Sequence, residues 1–511
     1  MMKFIGNAMV ILIVVLGIES PVLAEDHVGV AINWGNTIAT SKLAPSVYVV
    51  NSPMMRPSSP IHACVYDGLK KLGVDDLRYM SYFTFPKLSV AELYPPKDKT
   101  TSWDFSLMDP MVVGIFKAAE DHPVMMTFST VPTWMFKRNE PISYPDNPDA
   151  FRTLDSPQGT DLADASAQQL ADYYARLFGW YTQGGFTDEF GKYHRSGYRF
   201  NIHYWEVLNE PDLELRMSVQ NYTKLYDKVV AAIRRIDPSV KFVGLSMAFS
   251  TPDKLEYFLD PKNHAPGTPL DMISYHGYSS SEGPNDGPDQ WQYSYFSQAN
   301  EFLQKIDFIE AIRKRLSPST RTAINETGSL LSSDLQTDPS KIPPSYWNAS
   351  GALYAYLYLS VSRRDIDALH MAQGVGYPSF FPDLAMFDWA TCKPNARYQD
   401  LKLIKDNFGP GDRLIETEIA DGAGRTLGVW TPLADIGAQA YEKESGARKL
   451  LLVNKRNHSV DVVLPKSVSG ALVQTVDVTS GGNPPRVSTL KGERMELTPF
   501  SVSVITLKEP R

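Results

Sequence analysis

The sequence predicts an α/β chain: a (β/α)8 TIM barrel followed by a smaller antiparallel β-sandwich. Three observations carry that reading. From residue 28 to about 408, short apolar strands alternate with helical stretches, eight units in all. Connections from strand to helix are long, whereas those from helix back to strand are short. After Gly409 the pattern changes to short strands separated by Gly, Pro, Asn and Ser clusters.

The predicted barrel strands lie near 28–34, 75–80, 124–130, 203–209, 241–248, 271–277, 321–326 and 366–372. Helical patterns follow near 61–72, 107–120, 166–182, 218–236, 252–259, 296–316, 346–362 and 396–407. A doubly wound open sheet would need a Gly-rich nucleotide turn after the first strand, and residues 28–36 offer none. The short connections are 73–75, 122–123, 237–240 and 363–365; the long ones are 131–165, 278–295, 327–345 and 373–395. In such barrels the active site is built from the loops that follow the strands, so this asymmetry marks the working face. Residues 137–165, rich in Pro, Asp and Ser, read equally as a substrate wall or as a solvated excursion. Further strands are expected at 414–419, 425–432, 449–454, 459–464, 470–477 and 494–507. The expected division is a leader at 1–24, a barrel at 25–408 and a β-sandwich at 409–511, with the last acting as support.

The chain has 511 residues, 43% hydrophobic and 21% charged, enough apolar material for a full core. A net charge of −8 gives no basic excess that would point to nucleic acid. Residues 1–24 resemble a secretory signal, with Lys3, an apolar run at 8–17 and Val22-Leu23-Ala24 before the cut. That run is too short to span a membrane, so the expected mature protein is secreted or periplasmic, without stable membrane insertion. Cys64 and Cys392 give no disulfide framework, although a bridge between the neighbouring first and eighth units is open. Asn221, Asn348 and Asn457 lie in glycosylation sequons; Asn325 also fits the pattern but is expected to be buried.

The chemistry is concentrated at two strand ends. His203-Tyr-Trp-Glu-Val-Leu-Asn-Glu-Pro211 is an aromatic, apolar run that stops at Asn209, Glu210 and a proline. Arg321-Thr-Ala-Ile-Asn-Glu-Thr-Gly328 repeats the arrangement and offers Glu326. Glu210 and Glu326 come from the fourth and seventh strands, on opposite sides of one rim. Retaining glycoside hydrolysis needs such a pair, a proton donor and a carboxylate nucleophile roughly 5–5.5 Å apart. Asn209 can bond a sugar hydroxyl beside the reacting carbon. In Asp271-Met-Ile-Ser-Tyr-His-Gly-Tyr278, period-two alternation puts Ser274, His276 and Tyr278 on one face. Tyr278 can then donate to the nucleophile; His276 either contacts substrate, positions the acid or is a core histidine. Arg78, amid Leu77 and Tyr79, needs a partner if buried, and Glu326 is a candidate. Trp34, Trp134 and Trp389 follow strands one, three and eight and can act as sugar platforms or core filling.

Trp205-Glu-Val-Leu-Asn-Glu-Pro211, Ser274-Tyr-His-Gly-Tyr278 and Ile324-Asn-Glu-Thr-Gly328, in this order, resemble the retaining glycosidases of clan A. The most similar family is glycoside hydrolase family 39, with Trp103-Asp104 and Val131-Pro-Thr-Trp134 as smaller points of likeness. The resemblance implies that Glu210 is the acid/base, Glu326 the nucleophile, and Asn209, His276 and Tyr278 sugar-contacting or orienting residues. It implies carbohydrate substrates, β-xylosides and iduronic-acid glycosides among them, and no cofactor. A uronic acid would need cations at the rim, and only Lys137, Arg138 and Lys393 follow barrel strands there, so a neutral sugar is expected. A non-catalytic carbohydrate-binding barrel is the alternative; both glutamates argue against it. A metal-dependent hydrolase is set aside, because the nine histidines are scattered with no His-x-His at a strand end.

Overall fold

A computed structural model describes residues 27–507, apart from 140–142, 153–158, 282, 284, 332–340, 377–380, 422–425 and 427–433. The expected leader at 1–24 lies outside the described residues. The chain opens with a long strand, β1 (His27–Thr40), and then enters the barrel with β2 (Ala44–Val50), β3 (Leu77–Ser81) and β4 (Val124–Phe128). A small hairpin, β5 (Gly185–Thr187) and β6 (Tyr193–Arg195), precedes β7 (Tyr204–Glu206). The barrel is completed by β8 (Lys241–Met247), β9 (Met272–Ser280), β10 (Arg321–Leu330) and β11 (Ala368–Met371). It closes in the order β10-β11-β2-β3-β4-β7-β8-β9, every pair parallel.

Beyond it come β12 (Arg413–Ala420), β13 (Ile436–Glu442), β14 (Arg448–Asn454), β15 (Val460–Val463), β16 (Leu472–Val476), β17 (Arg486–Thr489), β18 (Arg494–Leu497) and β19 (Val502–Thr506). They form one nine-stranded sheet with β1, in the order β17-β16-β19-β14-β13-β12-β1-β15-β18. Val462 and Val473, near opposite ends of that order, meet in one apolar cluster with Ile415, Leu450 and Leu452. The sheet therefore curls over its own core, and the expected sandwich is built from a single sheet. The strand expected at 425–432 falls almost wholly outside the described residues.

Residues 28–34 are not the first barrel strand. β1 pairs with β12 and β15, so it belongs to the C-terminal sheet, and the barrel starts at Ala44. Burial explains the difference. A parallel barrel strand is covered on both faces, as β2 is along its whole length, whereas much of β1 is exposed.

The helices are α1 (His62–Leu72), α2 (Asp109–Ala119), α3 (Gln168–Thr182), α4 (Pro211–Glu214), α5 (Val219–Arg234), α6 (Pro252–Leu259), α7 (Pro288–Leu316), α8 (Pro344–Val361) and α9 (Ala396–Asn407). Local chemistry sets their ends. Pro252, Pro288 and Pro344 occupy first-turn positions where no amide hydrogen is missed. The Ser218 and Asn395 side chains cap α5 and α9, and α1 stops at Gly73 in the left-handed region, φ 59°. α8 is buried almost all round, because the barrel covers one side and the C-terminal sheet the other. Phe408 packs on Tyr441 at 4.5 Å between ring centres, and Tyr441, Leu451, Val453 and Val504 join the barrel's apolar cluster. Of the sequon asparagines, Asn325 and Asn348 are buried.

A disulfide joins Cys64 of α1 to Cys392 in the loop before α9, tying the first barrel unit to the eighth. Alkylation of the native, unreduced protein should label no cysteine, and two labelled thiols would refute the bridge. Replacing both with serine should lower unfolding stability by about 2–4 kcal/mol in a denaturant titration.

Candidate active site

The inward residues of the barrel change character along its axis. At the N-terminal end they form a small apolar plug of Ala44, Met125, Val243, Met272, Ala323 and Ala368. One pleat further on, the same strands present Thr127, Ser274 and Asn325, and then His276 and Tyr278. On β9 the outward position between the last two is Gly277, where any Cβ would collide with the Phe302 ring of α7.

Arg78 on β3 lies in the middle of this polar column, wholly buried. Its Nε donates to Oε2 of Glu206 at 2.7 Å and its Nη1 to Oε1 of Glu326 at 2.8 Å. Its Nη2 donates to Oδ1 of Asn209 at 2.6 Å. Glu206 receives three further bonds, from Thr127 Oγ1 at 2.6 Å, Ser274 Oγ at 2.7 Å and Asn325 Nδ2 at 2.6 Å. Burial works against the guanidinium charge, but Glu206 and Glu326 outweigh it and hold the Arg78 pKa above its ordinary value.

A regular pleat sends consecutive side chains to opposite faces, yet Asn209 with Glu210, and Asn325 with Glu326, all turn inward. Backbone irregularities make this possible. Leu208 and Glu210 have φ of 63° and 40°, in the left-handed region, just past the end of β7. β10 carries a bulge at Asn325, where the ladder to β9 jumps from Ile324 to Glu326. A matching irregularity at Leu245 and Ser246 on β8 brings the Ser246 hydroxyl to Asn209 Oδ1 at 3.3 Å.

His276 links the two carboxyl groups. Its Nδ1 donates to Oε1 of Glu210 at 2.7 Å and lies 3.6 Å from Oε2 of Glu326, while Nε2 meets Ser246 Oγ at 3.2 Å. Tyr278 donates to Glu326 Oε2 at 2.7 Å and meets the Tyr48 hydroxyl at 2.9 Å. One oxygen each of Glu210 and Glu326, with a His276 nitrogen, fall within 4.8 Å of one another. The environments push the two acids apart. Burial raises Glu210, and its His276 contact only partly offsets this. Burial acts on Glu326 too, but the charges of His276 and Arg78 and the bonds from Arg78 and Tyr278 bring it below its ordinary value. Burial disfavours charge on His276; Glu326 and Glu210 nonetheless raise its pKa, favouring the imidazolium. The trio is close enough to hold an ion, and its hydrogen bonds make it a proton-sharing set.

The pair opens into a cavity of about 590 Å³. Asn209, Glu210, Tyr278 and Glu326 line it, with an apolar wall that includes Val50, Tyr82, Phe83 and Phe381. Arg78 lies directly beneath. The three tryptophans do not join them among the described lining residues. Trp34 rides on β1 into the C-terminal sheet, under the Arg448 guanidinium at 4.8 Å. Trp134 turns its Nε1 to the Glu92 carbonyl at 3.0 Å, and Trp389 borders a separate shallow cavity with Lys393. Lys137 borders another, with Asp161 and Asp164, and Arg138 is absent from the described lining of the central one.

Sequence reasoning missed Glu206, Tyr48, Ser246, Glu214 and Arg216. Glu206 was readable: four residues before Glu210, it is a carboxylate inside an apolar strand and needs a buried cation. Tyr48 was hidden by the misplaced first strand. Glu214 and Arg216 follow the motif in a turn whose direction the sequence does not reveal.

Residues 186–332 match the family model described as glycosyl hydrolases family 39. No curated protein matches the chain significantly. Among solved structures, the chain is similar to the GH51 arabinofuranosidase from Xanthomonas axonopodis pv. citri, with TM-score 0.63 and 11% identity over 95% of this chain and 100% of that one. It is also similar to a glucosidase from Croceicoccus marinus, with TM-score 0.58 and 14% identity over 95% and 100%. The catalytic domain of GH30 xylanase C from Talaromyces cellulolyticus gives TM-score 0.57 and 14% identity over 94% and 100%. At such identities these likenesses speak to the fold.

Arg78→Met leaves Glu206 and Glu326 buried without their cation and should cost about 3–5 kcal/mol of stability near neutral pH. Because Arg78 depresses the folded-state pKa of Glu326, its contribution is present above the unfolded value of 4.5 and fades as pH falls through the lower folded value. Denaturant titrations should therefore show the gap to wild type narrowing in acid. A gap that is constant or widens in acid would contradict the pairing.

Proposed function

We propose that this glycoside hydrolase, similar to family 39, cleaves O-glycosidic bonds with retention of configuration. Glu210 is the acid/base and Glu326 the nucleophile. The observation that carries this reading is the pair itself: two carboxyl groups with oxygens within 4.8 Å, one biased toward its protonated form and the other toward its charged form. Oxygens this close accord with the shorter carboxyl separation of retaining sites, at which a carboxylate attacks directly.

In the first half-reaction the Glu326 carboxylate attacks the anomeric carbon while Glu210 passes its proton to the departing oxygen. The sugar is left as an ester on Glu326 and Glu210 as a carboxylate, beside the His276 imidazolium that hydrogen-bonds it. In the second, Glu210 takes a proton from water, the water oxygen attacks the anomeric carbon, and the Glu326 ester bond breaks. Arg78 and Tyr278 hold the nucleophile ionised and aimed. Asn209, whose Oδ1 is occupied by Arg78 and one of whose amide hydrogens goes to Glu214, offers its other amide N–H to the sugar, a contact able to tighten in the transition state.

The substrate reading is a neutral sugar such as a β-xyloside. The expected rim cations do not line the cavity, its wall is largely apolar, and similar folds include proteins named as an arabinofuranosidase and a xylanase. One observation favours a uronide instead. Arg216 lines the cavity, is exposed, and has no ion-pair partner among the described residues. A panel of chromogenic glycosides that includes a glucuronide and an iduronide separates the two. Export is part of the same proposal, supported by the leader-like residues 1–24 and the Cys64–Cys392 bridge.

Glu326→Ala should abolish turnover, and added azide should restore it in part, giving a glycosyl azide of opposite anomeric configuration. Glu210→Ala should lose about 10²–10⁴-fold on poor leaving groups and far less on activated ones. Equal losses on every leaving group would remove Glu210 from the acid role. EDTA should leave the rate unchanged.

A further inference from the structure

Glu214, on the one-turn helix α4, is a third carboxyl group on the cavity wall. Its Oε1 accepts a hydrogen bond from Asn209 Nδ2 at 2.8 Å. Its Oε2 is shielded from water and has no hydrogen-bond partner, although the residue as a whole is only half-buried. A carboxylate so placed would leave a buried charged oxygen with nothing to satisfy it. The buried cation of the site, Arg78, is already shared between the Glu206 and Glu326 carboxyl groups.

We propose that Glu214 is a positioning residue, an uncharged carboxylic acid whose Oε1 fixes the Asn209 amide so that its remaining N–H faces the sugar. This inference rests on the retaining reading above. Asn209 Oδ1 is taken by Arg78 and Ser246, so the amide cannot flip without facing N–H to N–H against Arg78. Glu214 Oε1 then takes one Nδ2 hydrogen and leaves the other for a hydroxyl oxygen beside the reacting carbon. Glu210, Glu326 and Arg78 face Glu214 from the site, and Tyr174 of α3 from behind. Burial is the first influence on Glu214 and raises its pKa well above the ordinary value. A neutral acid serves here because a third negative charge would raise the pKa of Glu326 and weaken the nucleophile.

The test compares Glu214→Gln and Glu214→Leu on an activated glycoside and on its 2-deoxy analogue. Glutamine keeps an acceptor for Asn209 without charge, so kcat/KM on the parent should stay within about threefold of wild type, with an unaltered pH profile. Leucine should lose about tenfold to a hundredfold on the parent through misplacement of Asn209. It should lose little on the 2-deoxy analogue, where the supported contact does not exist. If the leucine variant fails to fold, Glu214→Asp, one methylene short of Asn209, makes the same comparison. Equal losses on both substrates, or glutamine as damaging as leucine, would overturn the proposal. Azide rescue of Glu326→Ala is read separately, so failure of the retaining mechanism is distinguishable from failure of this role.

Discussion

One buried cation organises the working end of the barrel. Arg78 is shared between Glu206, which is held only by protein groups, and Glu326, which lines the cavity. Without Glu206 the guanidinium would be neutralised by Glu326 alone, in a fully buried pair whose partners are hard to use chemically. Without Arg78 both carboxylates would be stranded in the barrel. With all three present, Glu326 is charged, fixed by two donors and still facing the cavity. The polar layer that does this replaces the branched apolar side chains that usually fill a barrel interior. The apolar plug below it closes the bottom.

The second organising group is His276. It touches Glu210 and Glu326 together, and its charge acts on both. The asymmetry between the two acids therefore comes from what each has besides the histidine. Glu326 has Arg78 and Tyr278; Glu210 has burial and the neighbouring charges of Glu326 and Asp212. The three groups titrate as a set, so a pH–rate profile of this enzyme reports on the set.

Much of this was legible in the sequence, for definable reasons. Parallel barrel strands are apolar runs and their helices are amphipathic, so seven of the eight strands read at or near their places, and α1 and α9 almost to the residue. The first failed because two apolar strands, β1 and β2, lie in succession, and only tertiary pairing tells which one enters the barrel. Trp34 left the site with that error. Alternation placed Ser274, His276 and Tyr278 together, because β9 keeps its pleat to the rim. It could not give the inward turns of both Asn209 and Glu210, which depend on left-handed backbone at residues with no glycine to announce it. Nor could it find Arg216 or Glu214, whose direction is set by the turn of α4. Trp134 and Trp389 show the limit of composition: an aromatic after a barrel strand fills a cleft as readily as it faces a sugar.

The most direct test is to trap the sugar on the protein. A 2-deoxy-2-fluoro glycoside of whichever sugar the panel identifies, carrying an activated leaving group, should inactivate the enzyme with time. Mass spectrometry should then find one added glycosyl unit, on the peptide containing Glu326. A label on any other residue, or turnover with no adduct and an inverted product, would contradict the account.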